Sequence, residues 1–217
     1  MTRNNSFTLV ELLVVIGIIA VLAAMLMPAL TKAQRAARQT ECVNQMKQIS
    51  VAYEMYRNDN RNCFPCWSSN LYPEYIESKK IFHCPMDYHD YRQPHYDRQF
   101  QASFDLPENH GLTMNPTDVG GMSYFYELSD ASCNYSLPGK VVKDKNGNAK
   151  NPYSWCEMKE VQIEDYDPTL FPVLRCFFHH VGKRGALGQE SRPCLNISYA
   201  GNYFMSKFYW EDGAWTP

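Results

Sequence analysis

Phe7-Thr8-Leu9-Val10-Glu11 runs directly into an almost unbroken apolar stretch over residues 12–30, and the reading of that junction decides how the chain is built. The stretch approaches the roughly 20 residues that a helix needs to cross a bilayer. It is too long for the apolar core of a cleavable secretory signal, about 7–15 residues, and Ala23-Ala24-Met25-Leu26 offers only an ambiguous small-residue cleavage site. A lipoprotein signal does not fit either, because Cys42 lies well past the apolar segment in polar company. The expectation is a single, retained spanning helix.

Glu11 is the exception within that helix. A charged side chain inside a spanning segment costs roughly 2.5–3.5 kcal/mol on insertion scales, so such a residue has a partner and a role. Cleavage between Ser6 and Phe7 would leave an α-amino group one helical turn from Glu11. Cation and carboxylate then neutralise each other, and N-methylation keeps the amine cationic. Formed between neighbouring copies, the pair fixes the axial stagger of one helix against the next.

Ser6-Phe7-Thr8-Leu9-Val10-Glu11, followed by Leu12-Leu13-Val14-Val15-Ile16, resembles the signal of type IV prepilins and type II secretion pseudopilins. The resemblance covers a short leader over residues 1–6, the cut after Ser6, Phe7 as the methylated end, Glu11 as the assembly carboxylate, and Pro28 as the helix-kinking proline. Ser6 stands where the family usually has glycine. Cys42-Val43-Asn44-Gln45-Met46-Lys47-Gln48-Ile49, Met55-Tyr56-Arg57-Asn58-Asp59-Asn60, His83-Cys84-Pro85-Met86-Asp87 and Ser123-Tyr124 resemble the bacterial prepilin-like proteins with a C-terminal His-to-Asp-Gly motif. After His179-His180 the usual short spacing to Asp-Gly is replaced by a longer stretch ending at Ala200-Gly201. The resemblance implies a pilin-like subunit cut by prepilin peptidase, stored in the bacterial inner membrane, and assembled with copies or relatives into a type II secretion or type IV pilus-like filament.

With 21 Lys+Arg against 23 Asp+Glu and a net charge of −2, nothing suggests a sequence-independent grip on nucleic acid phosphates. Arg3 lies on one flank of the apolar run and Lys32, Arg35 and Arg38 on the other, so the positive-inside rule alone would put the C-terminal part in the cytoplasm. The signal's resemblance to one cut at the cytoplasmic face, and eight cysteines that suit an oxidising compartment, argue for a periplasmic placement instead.

The helix is expected to continue beyond Pro28. Residues 32–56 contain neither Gly nor Pro, and Ala33, Ala36, Thr40, Val43, Met46, Ile49, Tyr53 and Tyr56 recur at three-to-four spacing, a stripe able to dock on a sheet. Asn58-Asp59-Asn60-Arg61-Asn62 ends it. The remainder of the chain reads as one short-stranded, aromatic domain. Pro172-Val173-Leu174-Arg175-Cys176-Phe177-Phe178 suggests a buried strand, and Leu195, Ile197 and Tyr199 before Gly201-Asn202 and Tyr203-Phe204 suggest a hairpin. Asn146-Gly147 marks another turn after Lys140-Val141-Val142; residues 88–116 suggest a long surface loop. The expected class is α+β: a leader over 1–6, a spanning helix over 7–30, its amphipathic continuation over 31–58, and a β-rich globular domain over 59–217 whose small antiparallel sheet receives the helix.

Cys42, Cys63, Cys66, Cys84, Cys133, Cys156, Cys176 and Cys194 suggest disulfides, with Cys176 and Cys194 as the first candidate pair. Cys63-Phe64-Pro65-Cys66 with His83-Cys84, and farther on Asp87 and His89, offers ligand types that zinc prefers. His179-His180 near Cys176 invites a Cys-His nucleophile, and Glu160, Glu164, Asp165 and Asp167 a calcium site; the bland readings, a polar strand edge and a solvated face, are favoured. No cofactor is required and no enzyme is expected. The sequons at Asn134 and Asn196 are taken as chance matches in a bacterial chain. The alternative to a filament subunit is an anchored binding module that grips polysaccharide or another surface ligand through Trp67, Trp155, Trp210 and Trp215.

Overall fold

A computed structural model describes residues 9–87, 119, 122–133, 136, 138–179 and 193–212. Ser6, Phe7, the stretch 88–116, Asn134, His180 and Trp215 lie outside these residues. In chain order the elements are α1 (Leu9–Asp59), β1 (Phe125–Tyr126), β2 (Ser132–Cys133), β3 (Tyr153–Ser154), α2 (Trp155–Gln162), β4 (Pro172–Cys176), β5 (Cys194–Ser198) and β6 (Tyr203–Ser206). The class is α+β, a long N-terminal helix and a small antiparallel sheet domain, as in the pilin-like arrangement expected.

The chain divides into two compact units, Met1–Thr40 and Glu41–Pro217. Within the first, α1 is continuous through Pro28, although proline has no N–H for the carbonyl one turn earlier. The most apolar window of α1 has no buried residue and passes the length and hydropathy requirements of a membrane span. Within the second unit, α1 changes character. Cys42, Met46, Ile49, Ala52 and Tyr53 are buried, with Val43 and Tyr56 half-buried at the margin. The three-to-four spacing read from the sequence is therefore the docking stripe for Met46, Ile49 and Tyr53.

The polar run closes α1 as expected. The Asn62 N–H donates to the Arg57 carbonyl at 2.8 Å and the Asn60 N–H to Tyr56 at 2.9 Å. Arg61 and Asn62 take φ of +55° and +63°, the left-handed turn that caps a helix C-terminus by satisfying its last carbonyls.

The main sheet has the order β1-β4-β5-β6, antiparallel throughout. β5 and β6 form the predicted hairpin, with Cys194 opposite Ser206 and Ile197 opposite Tyr203. Gly201 takes φ +79° in its turn, and the Ser198 N–H donates to the Asn202 carbonyl at 2.8 Å. β2 and β3 pair separately, and Lys143 bridges Ala149 across the turn that holds Gly147.

Both faces of β4 and β5 are covered, since every residue in them is buried. On one face Leu174, Cys176, Leu195 and Ile197 pack with Cys42, Met46, Ile49 and Tyr53 of α1. On the other, Phe125, Phe177 and Cys194 pack with Phe208. This second face also carries charge. Glu127 accepts from Arg175 Nη1 at 3.1 Å and lies 3.1 Å from Lys159 Nζ, and all three are buried. Arg175 donates further to Asn196 Oδ1 at 3.0 Å and to the Phe208 carbonyl at 2.7 Å. Lys159 Nζ lies between the rings of Trp155, Phe171 and Trp210, 5.3–5.7 Å from their centroids.

α2 falls in a stretch for which the sequence patterning suggests no helix. Ser154 is its cap: the Glu157 N–H donates to Ser154 Oγ at 3.3 Å and the Ser154 N–H to Glu157 Oε2 at 3.0 Å. That reciprocal pair is a capping box, and Ser-x-x-Glu at 154–157 is the local signal that announces it.

Candidate functional site

Two features of the described residues stand apart from ordinary packing. The first is the membrane-length part of α1. A helix that is apolar on all sides is stable only in lipid or against other apolar surfaces, and here Leu9 is 77% and Leu22 55% exposed. Glu11 lies in its first turn, exposed among these side chains. Pro28 lies farther along the same unit, within the helix. Ser6 and Phe7 are outside the described residues.

The second is a knot of three thiols and one imidazole. Cys42 comes from α1, Cys84 from the turn that follows the 3₁₀ helix Lys79–Phe82, Cys176 from the end of β4, and His179 from the turn after it. Their sulfur atoms and a ring nitrogen of His179 all lie within 4.8 Å of one another. Cys84 Sγ is 3.3 Å from His179 Nε2, and the Met86 N–H donates to Cys84 Sγ at 3.4 Å. Burial pushes the Cys42 and Cys176 thiols well up. Cys84 is drawn down instead, because Cys176 and Cys42 hydrogen-bond to it and His179 adds to the effect.

This arrangement corrects two expectations. No disulfide joins Cys176 to Cys194. In the β4–β5 register Cys176 faces Leu195, so Cys194, the next residue along β5, points to the opposite face; the two thiols sit in different clusters. The metal set expected from Cys63, Cys66, His83 and Cys84 is also not assembled. Cys63 and Cys66 are exposed, and of the four only Cys84 enters the cluster. Adjacent residues of an extended segment point apart, which turns His83 away from the site that Cys84 joins. The local cue for the assembled set is Cys176-Phe177-Phe178-His179, a Cys-x-x-His spacing that suits metal ligation as well as a nucleophile pair.

The remaining candidates are occupied structurally. Cys66 borders a surface cleft with Asp130, Cys156 and Glu160, where burial and the Glu160 carboxylate push the Cys156 thiol up to about 12. Asp165 and Glu164 lie 2.9 and 3.6 Å from Lys140 Nζ, and Asp167 accepts from the Thr169 N–H and hydroxyl, each at 2.8 Å. Trp67, Trp155 and Trp210 are all buried, so these three present no open stacking platform for a sugar.

Comparison with known proteins points to the first feature. Residues 1–27 match the prokaryotic N-terminal methylation motif. The chain is 42% identical over 62 residues to the type IV wide pilus major component PilA4 of Thermus thermophilus, an alignment covering 29% of this chain and 47% of that protein. The chain thus spans about half the length of the curated relative it matches. No solved structure matches it. Residues 1–27 are thus similar to the N-terminal motif of prepilin-type proteins.

Proposed function

We propose that this chain is a structural pilin or pseudopilin subunit, stored in the bacterial inner membrane through α1 and assembled through the same helix into a filament with copies of itself or with related subunits. The observation that carries the reading is the unburied apolar stretch of α1 with a carboxylate in its first turn, most of it inside a segment that matches the methylation motif. Lipid and a sheath of like helices are interchangeable solvents for such a surface, so one segment can serve both states.

Prepilin peptidase cuts between Ser6 and Phe7 in this reading, and the methylated Phe7 amine of one subunit meets Glu11 of its neighbour. In low dielectric, either charge alone is costly and the pair is tolerated; only staggers that join them are populated. Pro28 removes one backbone hydrogen bond and gives the helix a point at which to bend during packing. The globular unit stays on the periplasmic side, outside the filament core.

Mass spectrometry of the protein recovered from its native membrane tests the processing step, with a chain beginning at N-methylated Phe7 as the expected species. A chain retaining Met1 overturns it. Glu11→Ala is expected to leave membrane insertion intact while reducing the filament yield at least tenfold, and filaments formed normally by that variant would end the register argument.

A further inference from the structure

We propose that Cys42, Cys84, Cys176 and His179 bind one zinc ion in a closed Cys3His site that staples α1 to the sheet. The ligand atoms already converge to within 4.8 Å of one another. With Zn–S near 2.3 Å, tetrahedral ligands stand about 3.8 Å apart, so closure requires only side-chain adjustments within that span. All four residues are buried, Cys42 and Cys176 completely. Three thiolates and an imidazole with no open coordination position make a structural site, and soft sulfur ligands favour zinc over the hard cations magnesium and calcium.

The surroundings suit a bound thiolate. The Met86 N–H directed at Cys84 Sγ is the backbone hydrogen bond that outer-shell groups supply to a ligating sulfur. Tyr124 closes the cluster on one side and is itself held by its hydroxyl donating to Gln45 Oε1 at 2.6 Å. On binding, each thiol proton is released to solvent and replaced by the metal, so three thiolates around a dication leave a net charge of minus one. Pairwise oxidation cannot satisfy this set. A disulfide between any two of the three sulfurs would strand the third thiol beside His179 in the core.

The ligands come from α1, the turn after Phe82, and β4 with its following turn. The metal therefore joins segments more than 40 positions apart in the chain. Cys42 is the second residue of the unit that begins at Glu41, so all four ligands belong to that one unit. The zinc site does not depend on whether the chain forms filaments.

The test uses the full chain, extracted in detergent and purified without chelator. Elemental analysis is expected to give one zinc per chain, with Cys42, Cys84 and Cys176 resisting alkylation until a chelator is added. Replacement by cobalt should produce the intense visible bands of a tetrahedral ion and a thiolate charge-transfer band, a readout that needs no variant. Cys84→Ser should lose the metal, His179→Cys should retain it with an altered cobalt spectrum, and the Cys63→Ser/Cys66→Ser pair should keep full stoichiometry. A zinc-free protein that takes up neither zinc nor cobalt under reducing conditions overturns the proposal. So does a disulfide joining any two of the three cysteines in protein from the native membrane, or loss of zinc in the Cys63/Cys66 variant.

Discussion

Glu127 is the residue on which the second face of the sheet turns, because it is the shared anion for two buried cations, Lys159 and Arg175. A buried ion pair contributes little compared with a well-packed apolar substitute, but removing one partner leaves an uncompensated charge and costs roughly 3–5 kcal/mol. Glu127→Ala is therefore expected to lower the unfolding free energy by about that amount in urea titrations followed through Trp155 and Trp210, whose rings contact Lys159. Lys140→Ala, which breaks contacts to the exposed carboxylates of Asp165 and Glu164, should leave it nearly unchanged, because solvent screens such pairs. Equal effects would mean that the buried charges are compensated by something other than each other. Nothing in the sequence revealed this cluster: Glu127, Lys159 and Arg175 lie far apart in the chain and belong to segments with no shared period, so only the tertiary fold brings them to one place.

The elements differ in how openly the sequence declared them. α1 and the β5–β6 hairpin rest on local physics, an apolar run, a three-to-four stripe and a Gly-Asn turn, and each was legible. α2 also rests on local physics, but its eight residues give too little periodicity to see without its capping box. That box yields a prediction at the same scale. Ser154→Ala should destabilise by about 1 kcal/mol. Burial raises the Glu157 carboxyl, but hydrogen bonds from Lys150 and from the Ser154 N–H outweigh it and hold the group below its ordinary value. A carboxyl lowered in the folded state binds fewer protons than in the unfolded chain, so its contribution is complete above the ordinary carboxylate range and fades as pH falls through the folded value. Thermal melts of Glu157→Gln should accordingly show a shallower acid-side loss of stability than the parent, and an unchanged acid limb would assign the cap to Ser154 alone. In the hairpin, Gly201 holds a left-handed φ with Ser50 Oγ 3.4 Å from where a Cβ would stand; Gly201→Ala should cost about 1 kcal/mol from backbone strain, read in the same melts.

At the scale of the molecule, the point at issue is where the globular unit begins. Sequence patterning places the boundary at residue 59, where the helix ends, because polarity and periodicity both change there. The core instead draws on α1 from Cys42 onward, and Met46, Ile49 and Tyr53 have at most 2% of their surface exposed. Helical periodicity shows which side of a helix is apolar but not how far along it a partner extends. The thiol cluster was hidden for the same reason, since the stripe and the strand that carry Cys42 and Cys176 were visible but their meeting was not. A chain begun at Glu41 keeps every buried residue of the stripe and should fold in aqueous buffer as a monomer with one cooperative transition. A chain begun at residue 59 loses Met46, Ile49 and Tyr53 from the core together with Cys42's place in the cluster. Truncating even one such core residue to alanine costs about 2–5 kcal/mol, so their combined loss rivals the roughly 5–15 kcal/mol that typically holds a domain together. That shorter chain should aggregate or bind hydrophobic dyes without a sharp melt. If it folds as well as the longer one, residues 41–58 are a passenger on the sheet and not part of its core.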